Sequence, residues 1–193
     1  MSEATENPTE PHWRRLGTRE LYRGRVLLTE HEVELPGGGR TTFEVNESSP
    51  FAVAVLLAPT PDEVIVARQY RYAPDRWIYD LPGGAGDEGE EPEDAARREC
   101  REEVGLVPGR LVHLHTFFLD PGRYAWPLHV YFATDFEEGE ADSSDPSEQV
   151  FGRRMPLREL DALISSGEVV DPALMVGRTF AGLKGLLPLL GSL

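Results

Sequence analysis

Three glutamates and two arginines fall within one short run, Arg98-Glu99-Cys100-Arg101-Glu102-Glu103. If the run is helical, Glu99 and Glu103 stand at i, i+4 and share a face. Two carboxylates one turn apart repel each other unless a cation lies between them. Hard oxygen donors of this kind suit Mg²⁺ or Mn²⁺. Glu102 lies further round, beside Arg98, and either could tie the helix to a neighbouring loop. The competing reading is a solvated acidic helix, which is the common case for an isolated E-x-x-x-E pair. The surroundings of the run decide between the two.

Those surroundings read as a loop feeding a helix. Residues 81–90, LPGGAGDEGE, carry too many glycines for a regular element. Pro92 suits the first helical position, where its missing N–H costs nothing. Glu93 and Asp94 then favour the positive end of the helix dipole. Good helix formers continue to Val104, and Gly105 reads as the stop. Ala96, Cys100 and Val104 form one apolar stripe, with Glu99 and Glu103 on its border beside Ala95. Cys100 is expected to be a small buried thiol without catalytic duty.

The spacing from Gly84 to Leu106 fits G-x5-E-x7-R-E-U-x-E-E-x-G-U at every fixed position, where U is a bulky apolar residue. Gly84, Glu90, Arg98, Glu99, Glu102, Glu103 and Gly105 supply the fixed types, and Cys100 and Leu106 fill the apolar slots. This is the Nudix box, so the chain resembles the Nudix hydrolases, which cleave nucleoside diphosphates linked to another group. By that resemblance Glu99, Glu103 and Glu102 hold divalent metal together with the backbone carbonyl of Gly83. Glu102 and Arg98 are also carried over as catalytic candidates.

Composition bounds the rest. The chain has 193 residues, enough for one good core with a small appendage. A net charge of −15 argues against non-specific binding to nucleic acid or anionic membrane. It also means that an anionic substrate needs local arginines or metal. A single cysteine rules out an internal disulfide and fits a cytoplasmic setting. No apolar run is long enough for a transmembrane helix. Residues 1–12 are polar and acidic, with no signal-peptide core, and read as a disordered tail.

Residues 13–45 carry strand signals on both sides of Gly37-Gly38-Gly39 and read as an antiparallel hairpin. In the group that the chain resembles most, the ADP-ribose pyrophosphatase-like Nudix enzymes, such a sheet precedes the box domain and engages a second subunit. A homodimer is therefore expected. Strands are expected at 50–58, 63–72, 110–119 and 128–136, and helices at 156–166 and 172–190. Pro156 and Pro172 read as first helical residues and Asp171 as an N-cap.

The flanks of the box refine the resemblance. Val66 to Tyr72, VARQYRY, resembles the RQxR strand of that group, so Arg68 and Arg71 are expected at the substrate, with Arg71 on phosphate. The alternative for this pair is surface ion pairing with the acidic helix. Trp77 to Gly83, WIYDLPG, resembles W-x-x-E-L/I-P-A-G, with Asp80 in place of glutamate and Gly83 in place of alanine. Pro121 and Gly122 match the group's Ser-Pro-Gly and are carried over as substrate-binding. The glutamate usual just beyond them is missing, and Arg123, Tyr124 and Trp126 stand nearby instead. The acidic stretch 137–149 reads as a loop. The resemblance places the water-activating carboxylate in it at Glu148, with Asp142 and Asp145 as weaker candidates. Tyr22, Phe51 and Tyr70 are candidate base-stacking aromatics.

The resemblance covers about residues 45–190 and implies an α/β/α sandwich around a mixed sheet, with an N-terminal antiparallel β-sheet appendage over 13–45 and the Nudix domain over 46–193. It implies a small-molecule nucleotide substrate, foremost ADP-ribose or another ADP-sugar, cleaved to AMP and a sugar phosphate. The metal would neutralise the diphosphate and acidify the attacking water. Other Nudix substrates remain in view, among them GDP-mannose and other nucleotide-sugars, NADH and dinucleoside polyphosphates. So does a non-catalytic module that senses ADP-ribose-like ligands, although such modules tend to lose the box glutamates.

Overall fold

A computed structural model describes residues 11–141 and 149–191. Glu148, Asp142 and Asp145 lie outside the described residues, as does the tail before residue 11. The chain forms two compact units. One holds the described residues up to Ser48 together with Asp120–Ala125; the other holds Ser49–Leu119 and the chain from Trp126 onward.

The first unit is a three-stranded antiparallel meander, β1 (Arg14–Arg23), β2 (Leu27–Glu34) and β3 (Arg40–Asn46). The glycine turn joins β2 to β3, as the alternation predicts: Leu35 N–H donates to the Gly39 carbonyl at 2.7 Å. The stretch 21–35, by contrast, is not one strand. It breaks at Gly24–Val26 and pairs back on itself, so the hairpin gains β1. Asn46 N–H donates to the Arg123 carbonyl at 2.7 Å, which joins the Asp120–Ala125 loop to this unit.

The second unit is built on β4 (Ala52–Thr60), β5 (Glu63–Arg71), β6 (Arg76–Asp80), β7 (Leu106–Phe117), β8 (Leu128–Glu138) and β9 (Val150–Pro156). The sheet order is β6-β5-β4-β8-β7, with β9 added on β5. β4 and β8 run parallel and the other pairs antiparallel, so the sheet is mixed. β4 is apolar throughout because both of its faces are covered. Val53, Val55 and Leu57 pack with Ala95, Ala96 and Cys100 of α1 (Pro92–Val104). Ala54, Leu56 and Ala58 pack with Leu157 and Leu160 of α2 (Leu157–Ser165) and Leu174 and Ala181 of α3 (Pro172–Leu183). The period of two along one strand thus builds the expected α/β/α layers.

Several boundaries differ from the sequence reading, β7 among them, which starts at Leu106 directly after the Gly105 cap. β6 and β9 are strands within stretches read only as the approach to the box and as loop-to-helix chain. Pro156 closes β9 opposite Glu63 and precedes α2, rather than opening the helix; its backbone is extended, and proline fits the end of a strand. α3 stops at Leu183 instead of running to 190, because Gly185 adopts φ +70° and Pro188 lacks the N–H that a helix needs. Asp171 caps α3 as predicted, accepting from Leu174 N–H at 2.7 Å. No helix of the described residues is long and apolar enough to cross a membrane.

Candidate active site

α1 carries the acidic run, and its ends follow the sequence logic. Pro92 opens it, Glu93 and Asp94 lie in the first turn, and Gly105 caps it at φ +67°. The buried stripe of Ala95, Ala96 and Cys100 docks one face on the sheet. That docking turns Glu99 and Glu103 towards the glycine loop. Burial pushes the Cys100 thiol well above its ordinary range, which suits the packing role expected of it.

The loop lies along the part of β4 that β5 leaves unpaired. Val55 N–H donates to the Pro82 carbonyl and Val53 N–H to the Gly84 carbonyl, both at 2.9 Å. Gly83 sits between them at φ +156°. A Cβ there would stand 2.1 Å from the Val53 carbonyl oxygen, which is why glycine replaces the alanine of the pattern. Gly83 N–H donates to Glu103 Oε2 at 2.8 Å. With Pro82 and Gly84 directing their carbonyls to β4, alternation along the chain leaves the Gly83 carbonyl directed away from it. Gly84 must be small for a second reason, since its Cβ would stand 2.7 Å from Glu99 Oε1. Both carboxylates therefore lie against the loop.

Arg98 fastens helix to loop. Its Nε and Nη2 donate to the two oxygens of Glu90 at 2.9 and 3.0 Å. Nη1 donates to Glu99 at 2.7 Å and Glu102 at 3.3 Å, and Nη2 also reaches the Ala85 carbonyl at 3.1 Å. The role of Glu90 as the partner of Arg98 is invisible without the fold. Glu103 has its pKa pushed up to about 8, first by burial and then by Glu99 and Asp80, against the pull of the Gly83 N–H. Burial and the neighbouring carboxylates thus oppose the charged form of Glu103. The donor set of Glu99, Glu103, Glu102 and the Gly83 carbonyl, all oxygen, fits a hard divalent cation.

The arginines of β5 part company. Gln69 and Arg71 both donate to Asp80 Oδ2, at 3.0 and 2.5 Å, and Leu81 N–H donates to Oδ1 at 2.8 Å. Arg71 therefore pairs with Asp80, not with the acidic helix, and both act electrostatically on Glu103. Arg68 lies on the opposite face, its guanidinium 4.3 Å from the centre of the Tyr79 ring. Pro121 and Gly122 lie in the Asp120–Ala125 loop of the other unit, where Gly122 N–H donates to Asp120 Oδ1 at 3.2 Å. Phe51 is buried in the core against α1 and is no free stacking surface; Tyr70 and Tyr22 are exposed. The place of Asp80 at the centre of this network escaped the sequence reading, in which it was only a shorter stand-in for glutamate.

Fold and site together set an acidic helix and a glycine-rich loop against each other beside a mixed sheet. The NUDIX domain family model matches residues 49–173. The chain belongs to the Nudix family and is a Nudix hydrolase. It is 32% identical over 158 residues to an ADP-ribose pyrophosphatase of Bacillus subtilis, covering 81% of this chain and 85% of that protein. It is 31% identical over 168 residues to a CMP-5'-(N-acetyl-N-hydroxy-3-aminopropyl)phosphonate hydrolase of Streptomyces rubellomurinus, covering 86% of this chain and 80% of that protein. A crystal structure of an ADP compounds hydrolase superposes with a TM-score of 0.72 at 23% identity, over 91% of this chain and 96% of that one, which supports the fold.

Proposed function

We propose that the protein hydrolyses ADP-ribose or another ADP-sugar to AMP and the sugar phosphate, with Mg²⁺ or Mn²⁺ as cofactor. The observation that carries the hydrolytic reading is the pair Glu99 and Glu103 held against the loop, with Gly83 N–H on Glu103 at 2.8 Å. Glu99, Glu103, Glu102 and the Gly83 carbonyl would hold the metal. When bound, it neutralises the diphosphate and makes water a better nucleophile at neutral pH. The chain's own residues do the rest. Arg98 fixes the helix face on the loop, so the carboxylates converge without reorganising. Arg71 presents free guanidinium donors to a phosphate. Glu148 takes the proton of the attacking water or orients it. Water adds to one phosphorus, the bond from that phosphorus to the bridging oxygen breaks, and AMP is one of the two products.

The substrate rests on the relatives named for ADP-ribose and ADP compounds, together with the Arg68-to-Arg71 pattern. A second reading, a nucleoside phosphonate or another nucleotide conjugate, is favoured by the relative that acts on a CMP-linked phosphonate at nearly equal identity. Arg123 and Tyr124, standing where the group carries a glutamate, suit a different leaving half. A product-resolved comparison of kcat/KM for ADP-ribose, GDP-mannose, UDP-glucose, NADH, diadenosine polyphosphates and a CMP-phosphonate at one Mg²⁺ concentration separates the two. ADP-ribose is expected to lead. A rival ahead by about tenfold, or about 1.4 kcal/mol of transition-state binding, would overturn the substrate and leave the hydrolase standing.

The same reading includes a homodimer built through β1–β3 and a cytoplasmic setting, with no nucleic acid or membrane partner. Support for the dimer comes from β1, which among the described residues pairs only with β2 and is exposed along nearly all of its length. An uncovered edge of that kind invites a second strand or subunit.

A further inference from the structure

Asp80 is 5% exposed, yet no step of the proposed hydrolysis uses it. It closes β6, and both of its oxygens are engaged. Oδ1 is held by Leu81 N–H, and Oδ2 receives Gln69 Nε2 at 3.0 Å and Arg71 Nη2 at 2.5 Å. The β5–β6 register explains the convergence. Ala67 lies opposite Asp80, Gln69 and Arg71 follow at alternate positions on the same side, and Arg68 is sent to the other face. Gln69 is itself 6% exposed, so two buried polar side chains frame the contact. Arg71 gives the pair a single arm, and 47% of its side chain stays exposed.

We infer that Asp80 is a positioning residue for substrate binding, whose carboxylate grips one arm of the Arg71 guanidinium and leaves the remaining donors aimed at the substrate's diphosphate. The inference rests on the diphosphatase reading above. A free arginine loses side-chain freedom when it binds, and an arginine already gripped by a buried anion has lost it beforehand. Neutral Gln69 cannot take the place of Arg71, because a buried carboxylate needs a cation partner. The competing role for Asp80 is to brace Leu81 to Gly83, and through Gly83 the Glu103 carboxylate. That role acts on catalysis instead of on substrate affinity.

The test is a double-mutant cycle on the full chain, with kcat and KM for ADP-ribose measured at saturating Mg²⁺ in wild type, Asp80→Asn, Arg71→Gln and the double variant. Asparagine keeps an acceptor for Leu81 N–H and removes the charge. The expected result is a KM raised about tenfold in Asp80→Asn with kcat changed less than about threefold, and a double variant no worse than Arg71→Gln alone. Effects on KM that simply multiply would overturn the inference, as would a fall in kcat at unchanged KM. If Asp80→Asn does not fold, Asp80→Glu replaces it. Its longer carboxylate shifts the guanidinium, so KM should rise about threefold and that rise should vanish in the Arg71→Gln background. Its persistence, or its absence in both backgrounds, counts against the link. A wild-type enzyme without activity on ADP-ribose defeats the substrate reading instead.

Discussion

At the scale of single residues, the site depends on charge placed where charge is costly. Glu103 lies half-buried against Gly83 N–H and beside Glu99, so burial and a like charge both oppose its ionised form. Glu103→Gln keeps the size and nearly the helix propensity, and removes the negative charge. Turnover with Mg²⁺ is expected to fall about a thousandfold or more, with helical circular dichroism unchanged; near wild-type turnover would end the metal assignment. Glu148→Gln should lower kcat by about 10²–10⁴-fold with little effect on KM. If the loss appears at Asp142 or Asp145 instead, the water-activating role moves to that residue. Asp171 makes a prediction of a different kind. Burial first, and then the Asp80 carboxylate, push its pKa from 3.8 up to about 7. The folded state thus binds a proton that the unfolded state releases, so the stability this group confers is full below pH 4 and is lost as pH rises towards 7. Asp171→Asn keeps an acceptor for the Leu174 N–H cap and removes the charge. It should stabilise the protein at pH 8 by about 1–3 kcal/mol and give no gain at pH 4, as read by denaturant unfolding at the two pH values.

At the scale of elements, one helix and one loop make each other possible. The loop follows β4 only because β5 leaves that half of the strand free, and its glycines allow the approach. Adding a methyl group at Gly83 would press on the Val53 carbonyl at 2.1 Å and move the very N–H that binds Glu103. Gly83→Ala is therefore expected to cost about 1–3 kcal/mol of stability and to weaken activity more than the stability loss alone explains. Thermal unfolding read beside turnover at a temperature where the variant is fully folded checks both halves. Arg98 is the counterpart on the helix side. It holds Glu90, Glu99, Glu102 and the Ala85 carbonyl at once, a set of contacts that lysine's single point charge cannot reproduce.

At the scale of the molecule, a chain of net charge −15 binds an anion only where it concentrates cations. In the proposed function Arg71 and the metal supply that concentration. In the N-terminal meander β1 is exposed at nearly every position. A sheet of three short strands is marginal alone. Sedimentation at tens of micromolar is expected to show a two-fold dimer, the commonest closed symmetry. A monomer there, or a deletion of residues 1–44 that remains dimeric, would remove β1–β3 from the assembly.

The placement of the two carboxylates was legible in the sequence because it is local. Glu99 and Glu103 lie one helical turn apart, Pro92 and Gly105 mark the ends of that turn structure, and the glycine loop precedes it directly, so spacing alone places the two carboxylates on one face. The strand at 50–58 was likewise legible, and its unbroken apolar run fits the cover that helices give to both of its faces. What the tertiary structure decided involves residues distant in sequence. Glu90 finds Arg98 only after the loop folds over the helix. Gln69 and Arg71 meet Asp80 only through the β5–β6 register, and Arg68, their neighbour in the same pattern, faces the other way because strand residues alternate. Asp171 comes against Asp80 only when α3 closes on the sheet. Spacing along a chain carries such information within one element, where geometry is periodic; between elements the register and the packing supply it.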